Sequence, residues 1–160
     1  MSKRPSKHHA MVSLGFLFCL VACACADRAP DWSAEIARNE AKWREHDIDD
    51  YRVVVRVSSL WHMQTHSLIV QDGVVVEMSA SCTPAPIEGR ECEVRPFRGD
   101  SYAVPGLFDQ ARWIAEQGEA QHITIEFDAR YGYPTRISYD DPEVIDEEWG
   151  WGVPEFEPLE

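Results

Sequence analysis

The sequence predicts a single α+β domain: a mainly antiparallel sheet of about five strands with two helices packed on it, in the order α-β-β-β-α-β-β. Three observations carry this. The apolar period alternates between that of a helix and that of a strand along the chain. The connections between neighbouring strands are too short for parallel crossovers, which need a dozen residues or more. The chain has 160 residues, 44% hydrophobic and 27% charged, a length and composition that suit one globular domain.

The first helix is expected from about Asp31 to His46. Asp31 is a good N-cap, and Trp32, Ile36, Ala37 and Trp43 fall near one face. Two tryptophans on one helix face are core anchors, because each buries a large apolar area. Glu40 and Arg44 form an i,i+4 pair on the other side, worth only tenths of a kcal/mol. The period then changes to two: Tyr51, Val53, Val55 and Val57 alternate with Arg52, Val54, Arg56 and Ser58, the pattern of a half-buried strand. Thr65 to Gln71 and Val74 to Met78 read as two further strands, joined by Asp72-Gly73, which suits a two-residue primed turn. Residues 79–103 are left as a long loop. A second helix is expected from Pro105, a good first-turn residue, to Gln117, with Gly118 ending it. Its buried stripe is Leu107, Phe108, Ala111, Ile114 and Ala115. Ile123, Ile125 and Phe127 alternate with polar residues in a fourth strand. Tyr131-Gly132-Tyr133-Pro134 turns the chain, and Arg136 to Tyr139 forms the fifth.

The N-terminus reads as an address. Lys3, Arg4 and Lys7 precede an uncharged apolar stretch, Ala10 to Ala22, too short to span a bilayer, which takes about 20 residues, and right for the apolar region of a signal peptide. Leu20-Val21-Ala22-Cys23 resembles the bacterial lipobox. The resemblance implies a diacylglyceryl group on the Cys23 thiol, cleavage before Cys23 and acylation of the new amine. Several acyl chains give stable membrane anchoring where one gives marginal binding. The alternative is an ordinary signal peptide cut at Ala22-Cys23-Ala24. Ala24 stands where an Asp resembles an inner-membrane retention signal, which favours the outer membrane, facing the periplasm. The organisation expected is therefore a signal peptide over 1–22, a tether over 23–30, the domain over 31–150 and an acidic tail over 151–160.

Five cysteines are present. Cys19 leaves with the signal peptide and Cys23 carries lipid, so Cys25, Cys82 and Cys92 remain in a compartment where disulfides persist. Cys82 and Cys92 bracket a loop rich in Pro and Gly, and a bridge there contributes roughly 2–3 kcal/mol by restricting the unfolded chain. Two free thiols, or a bridge to Cys25, are the alternatives. No Cys-x-x-Cys or helical His-x-x-x-His supplies a zinc site.

Trp43, Tyr51-Arg52, Asp72-Gly73-Val74-Val75 and Phe108 are scattered elements of a wider pattern. Its dense element is Phe127-Asp128-Ala129-Arg130-Tyr131-Gly132-Tyr133-Pro134-Thr135-Arg136-Ile137-Ser138, followed by Asp140 and Ile145-Asp146-Glu147-Glu148. Over residues 38–150 this resembles domain-of-unknown-function family 6174, found in bacterial secreted proteins and lipoproteins. Many members of that family carry cysteines just after the first strand, where this chain has Ser58-Ser59-Leu60, so its disulfides are not transferred. The family implies no activity.

Charge narrows the partners. The chain carries 15 Lys+Arg against 28 Asp+Glu, and a surface that binds nucleic acid needs clustered cations. Loss of residues 1–22 removes Lys3, Arg4 and Lys7 and no acid, moving the formal charge from −13 to −16. After Arg136 come only acids: Asp140, Asp141, Glu143, Asp146, Glu147, Glu148, Glu155, Glu157 and Glu160. Their spacing does not match a calcium loop, and a solvated tail is the expectation. His62 and His66 are four apart, about 13 Å on a strand, too far for one metal ion, and His122 is elsewhere. Ser58, Ser59 and Ser81 lack the surroundings of a nucleophile elbow. Tyr131 and Tyr133 read as packing across the final hairpin rather than as a binding edge. No catalytic set, metal site or cofactor is expected. The reading is a lipid-anchored envelope protein with a binding or interaction domain and a protein partner in the envelope; the alternative is a small metal-dependent or hydrolytic enzyme.

Overall fold

The computed structural model describes residues 30–59, 62–84, 92–144 and 149–159. The expectations for the signal peptide, Cys23, Cys25 and the tether up to residue 29 lie outside them, as do those for Ile145-Asp146-Glu147-Glu148 and Glu160. The chain forms α1 (Trp32–Glu45), β1 (Tyr51–Ser59), β2 (His62–Gln71), β3 (Val74–Pro84), α2 (Val104–Gln117), β4 (Ile123–Phe127), β5 (Pro134–Tyr139) and β6 (Trp149–Pro158). The strands make one sheet in the order β3-β2-β1-β6-β5-β4, with every neighbouring pair antiparallel. The α+β class and its helix–strand order hold, with six strands instead of five.

The period-two pattern decides which sheet face meets the helices. Tyr51, Val53 and Val55 of β1, Leu68 and Val70 of β2, Ile123 and Ile125 of β4 and Ile137 of β5 are all buried. They pack beneath Ile36 and Trp43 of α1 and Leu107, Phe108, Ala111 and Ile114 of α2. Trp32 and Ala115 are only partly buried against this core, and Ala37, expected on the buried face, is exposed, since it sits one residue beyond Ile36 and so about 100° further round the helix. Asp31 caps α1 by accepting from the Ala34 N–H. The first residue of α2 is capped from across the core, where the Tyr51 hydroxyl accepts from the Val104 N–H at 3.0 Å. Burial pushes the Tyr51 phenol up to about 12, so it stays neutral in that role. Asp72 and Gly73, both at positive φ (50° and 72°), make the expected tight turn.

Three expectations are corrected. The loop assigned to 79–103 begins later, because β3 continues to Pro84 and β2 begins at His62. The expected solvated tail is instead β6, hydrogen-bonded between β1 and β5 inside the sheet, so the domain extends past residue 150. Its two prolines and acids obscure it in the sequence. Pro154 falls where the register with β1 slips between Val54 and Arg56, a bulge in which a missing N–H is tolerated. Beyond Gly152, β6 pairs only with β1, so Pro158 breaks no second ladder.

Tyr131 and Tyr133 pack toward α1 and β6, the third correction. The Tyr133 ring lies 4.4 Å from Phe156 and 6.3 Å from Trp43; Tyr131 lies 5.6 Å from Phe156. The dense motif of residues 127–138 is thus a docking device for the fold. The Asp128 carboxylate accepts from the Arg130 and Tyr131 N–H groups. Gly132 turns at φ 85°, so close to α1 that a Cβ there would lie 2.6 Å from the Asn39 carbonyl. Lys42 of α1 and His46, which caps its C-terminus, reach the Ala129 and Arg130 carbonyls.

Candidate functional site

The sheet face turned away from the helices carries the alternate residues of every strand. In its middle runs a trough of about 530 Å³, lined by Arg56, Ser58 and Ser59 of β1, Glu126 of β4, Thr135, Arg136 and Ser138 of β5, and β6 from Trp149 to Pro154. The alternation that builds it is Trp149-Gly150-Trp151-Gly152: the tryptophans turn to the helix side, and on the other side Gly152 leaves the floor open, whereas Gly150 is buried, with the Ser138 Cβ 3.0 Å from where its own would lie. Trp149 and Trp151 are partly buried against the core.

Strand register sets the geometry. Gly152 pairs with Arg56 on one side and with Arg136 on the other. Gly150 pairs with Ser58 and Ser138 in the same way. Two rows therefore cross the trough, Arg–Gly–Arg and Ser–Gly–Ser, with the arginine backbones about 10 Å apart across two strand spacings. Among the described residues Arg56 has no ion-pair partner, while Arg136 lies 4.0 Å from Glu126. Further along, Arg52 is neutralised by Glu157, directly opposite it, at 2.9 Å. The Ser58 hydroxyl donates to the Gly150 carbonyl at 3.5 Å. The trough thus offers guanidinium donors on both walls and, at Gly152 between them, a floor without a side chain.

A second cavity, of about 300 Å³, lies on the helix side and shares Ser58, Ser59 and Trp149 with the trough. Its inner wall is His66, 1% exposed, stacked on Tyr102 with ring centroids 4.0 Å apart and met edge-on by Phe97 at 4.3 Å. Gln64 closes the cavity by exchanging two hydrogen bonds with the Arg95 backbone, at 3.1 and 2.9 Å. Its amide nitrogen lies 3.4 Å from His66 Nε2. Buried His66 Nδ1 has no partner, and desolvation lowers the imidazole to about 4, so the ring is neutral near pH 7. Cys82 and Cys92 are joined, with Cα atoms 6.0 Å apart, and so tie β3 to the segment that carries Arg95.

The remaining sequence candidates are dispersed. His62 and His66 are both on β2. His122 lies beyond α2 and faces Asp141, with 3.4 Å between Nδ1 and Oδ1. Asp140 is exposed and lines neither cavity. Among the described residues, no three His, Cys, Asp or Glu side chains gather as metal ligands do. Ser58 and Ser59 line both cavities, but their only histidine neighbour in these walls is His66, held between two rings; Ser81 is exposed on β3. Arg56, Arg136, Gly150 and Gly152 were not singled out by their sequence context. The signal that marks them is the strict Trp-Gly alternation, period two with no side chain on one face.

A family model described as a family of unknown function (DUF6174) matches residues 35–158. No curated protein matches the chain, and no solved structure does. The matched span includes β6, and with it both walls and the floor of the trough.

Proposed function

The chain belongs to the DUF6174 family of unknown function, and from that premise we propose that it is a lipid-anchored protein of the bacterial envelope whose domain binds another envelope component rather than catalysing a reaction. The trough is its binding surface. The observation that carries this is the paired register about Gly152, which sets Arg56 and Arg136 on opposite walls of a bare floor. The anchor is Cys23, whose lipobox context supports acylation, and the orientation toward the periplasm follows from Ala24. No helix among the described residues is long and apolar enough to cross a membrane; the membrane contact in this reading is the lipid at Cys23.

Two experiments test it. Cys23→Ser abolishes labelling of the protein by a fatty-acid analogue; unchanged labelling refutes the anchor. A photo-crosslinking amino acid at Thr124, exposed on β4 opposite Ser138, captures an envelope partner in cells, while the same group at Arg38 on α1 does not. Gly152→Val abolishes that capture by filling the floor. A Cβ on Gly152 meets nothing closer than the Thr135 carbonyl at 3.9 Å, and an unchanged melting temperature confirms that the variant folds. Capture that survives Gly152→Val, or no reproducible adduct at Thr124, removes the trough as the binding surface.

A further inference from the structure

We infer that the trough takes an extended peptide bearing a carboxylate, held by Arg56 and Arg136; this rests on the binding role proposed above and names the ligand class. The charged side chains in the walls are Arg56, Arg136 and Glu126, a formal balance of one positive charge. That complements a singly charged carboxylate better than a doubly charged phosphate. It is also a local exception on a chain with 28 acids against 15 bases, where a cationic surface does not arise from composition.

Guanidinium geometry points the same way. An arginine presents a planar fork that matches the two oxygens of a carboxylate, and such charge-assisted pairs are stronger than neutral hydrogen bonds. Arg56 has no ion-pair partner among the described residues, and the 4.0 Å separation of Arg136 from Glu126 leaves its donors available. The row spacing selects an extended chain. Arg56 and Ser58 are two residues apart on β1, as are Arg136 and Ser138 on β5, so the two rows lie roughly 7 Å apart. That is the distance between alternate residues of an extended peptide, whose carboxylate meets the arginine row while its amides reach the serine hydroxyls. The open floor at Gly152 lets its backbone approach β6 at the arginine row.

The test uses the purified full-length protein in detergent, isotopically labelled, with three probes: acetyl-Ala-Glu-Ala-amide, its Gln counterpart and inorganic phosphate. The Glu tripeptide is expected to shift the Gly150 and Gly152 amide resonances saturably. The Gln tripeptide and phosphate bind at least about tenfold more weakly, and Arg56→Gln or Arg136→Gln each weakens the Glu tripeptide by about tenfold. Both arginines are exposed, and an unchanged melting temperature confirms that the variants fold. Equal affinity for the Glu and Gln tripeptides, tighter binding of phosphate, shifts mapping away from β6, or indifference to both arginine substitutions overturns the inference. Partner capture at Thr124 that persists in Arg56→Gln/Arg136→Gln removes the carboxylate and keeps the binding surface; loss of all capture at Thr124 in the parent protein removes the surface itself.

Discussion

Acidification should destabilise this domain through one residue, His66. In the folded state burial lowers its imidazole from 6.5 to about 4; in the unfolded chain it titrates at its ordinary value. Between those two pH values the unfolded state binds a proton that the folded state refuses, so stability falls as the pH falls. The contribution is fully present above about pH 7.5 and is lost by about pH 4. At about 1.4 kcal/mol per tenfold change, the full swing is about 3 kcal/mol. The environment supports a lowered value: two aromatic rings and the Gln64 amide surround the ring, and its Nδ1 has no hydrogen-bond partner. The assay is urea unfolding, followed by tryptophan fluorescence, of the parent and His66→Phe at pH 7.5, 6.5, 5.5 and 4.5. Phe keeps a ring against Tyr102 and cannot take a proton, so carboxylate titrations common to both proteins cancel in the difference. The parent should lose between 2 and 3 kcal/mol relative to the variant, roughly, by pH 4.5. Parallel stability curves, or an imidazole that titrates near 6.5 by NMR in the folded protein, would refute the reasoning.

Other consequences follow from the packing. Cys82→Ser/Cys92→Ser opens a loop with a sequence separation of 10 and should lower unfolding stability by about 3 kcal/mol, measured by denaturant midpoint. Tyr51→Phe leaves the Val104 N–H without its acceptor and should cost about 1–3 kcal/mol, with faster amide exchange at the start of α2. Gly132→Ala must place a Cβ at positive φ and 2.6 Å from the Asn39 carbonyl. It should lower the melting temperature by several degrees, on the order of 2 kcal/mol or more, and an unchanged melting curve would contradict the docking role of the motif.

Much of this fold was legible before any coordinates, because its elements are strongly periodic. Tyr51-Arg52-Val53-Val54-Val55-Arg56 announces a half-buried strand, Asp72-Gly73 a hairpin, and Leu107, Phe108, Ala111 and Ile114 a helix stripe. β6 was obscured by composition. Two prolines, two glycines and two acids lie within Trp149–Pro158, residues that strand propensity disfavours. What overrides propensity is tertiary: β1 and β5 each present an edge to Gly150 and Gly152, while Val153-Pro154 lies in a bulge against β1 and beyond the last pair with β5. The dense motif of residues 127–138 was visible, but its purpose was not, since the Asn39 and Lys42 surfaces against Gly132 come from a helix some ninety positions earlier.

The candidate site was hidden for the same reason. Arg56 and Arg136 are eighty positions apart, and each alone is an ordinary solvent-facing residue of an alternating strand. Amino-acid order by itself determined the local conformation and inward face of α2 and of β1 to β5, and the acid excess, because these depend on period, turn chemistry and charge within short windows. Only the tertiary structure decided that β6 enters between β1 and β5, that Gly152 opens its floor, and that two arginines and two serines face each other across it. Those are matters of register between distant segments, and register is set by the packing of the whole sheet against α1 and α2.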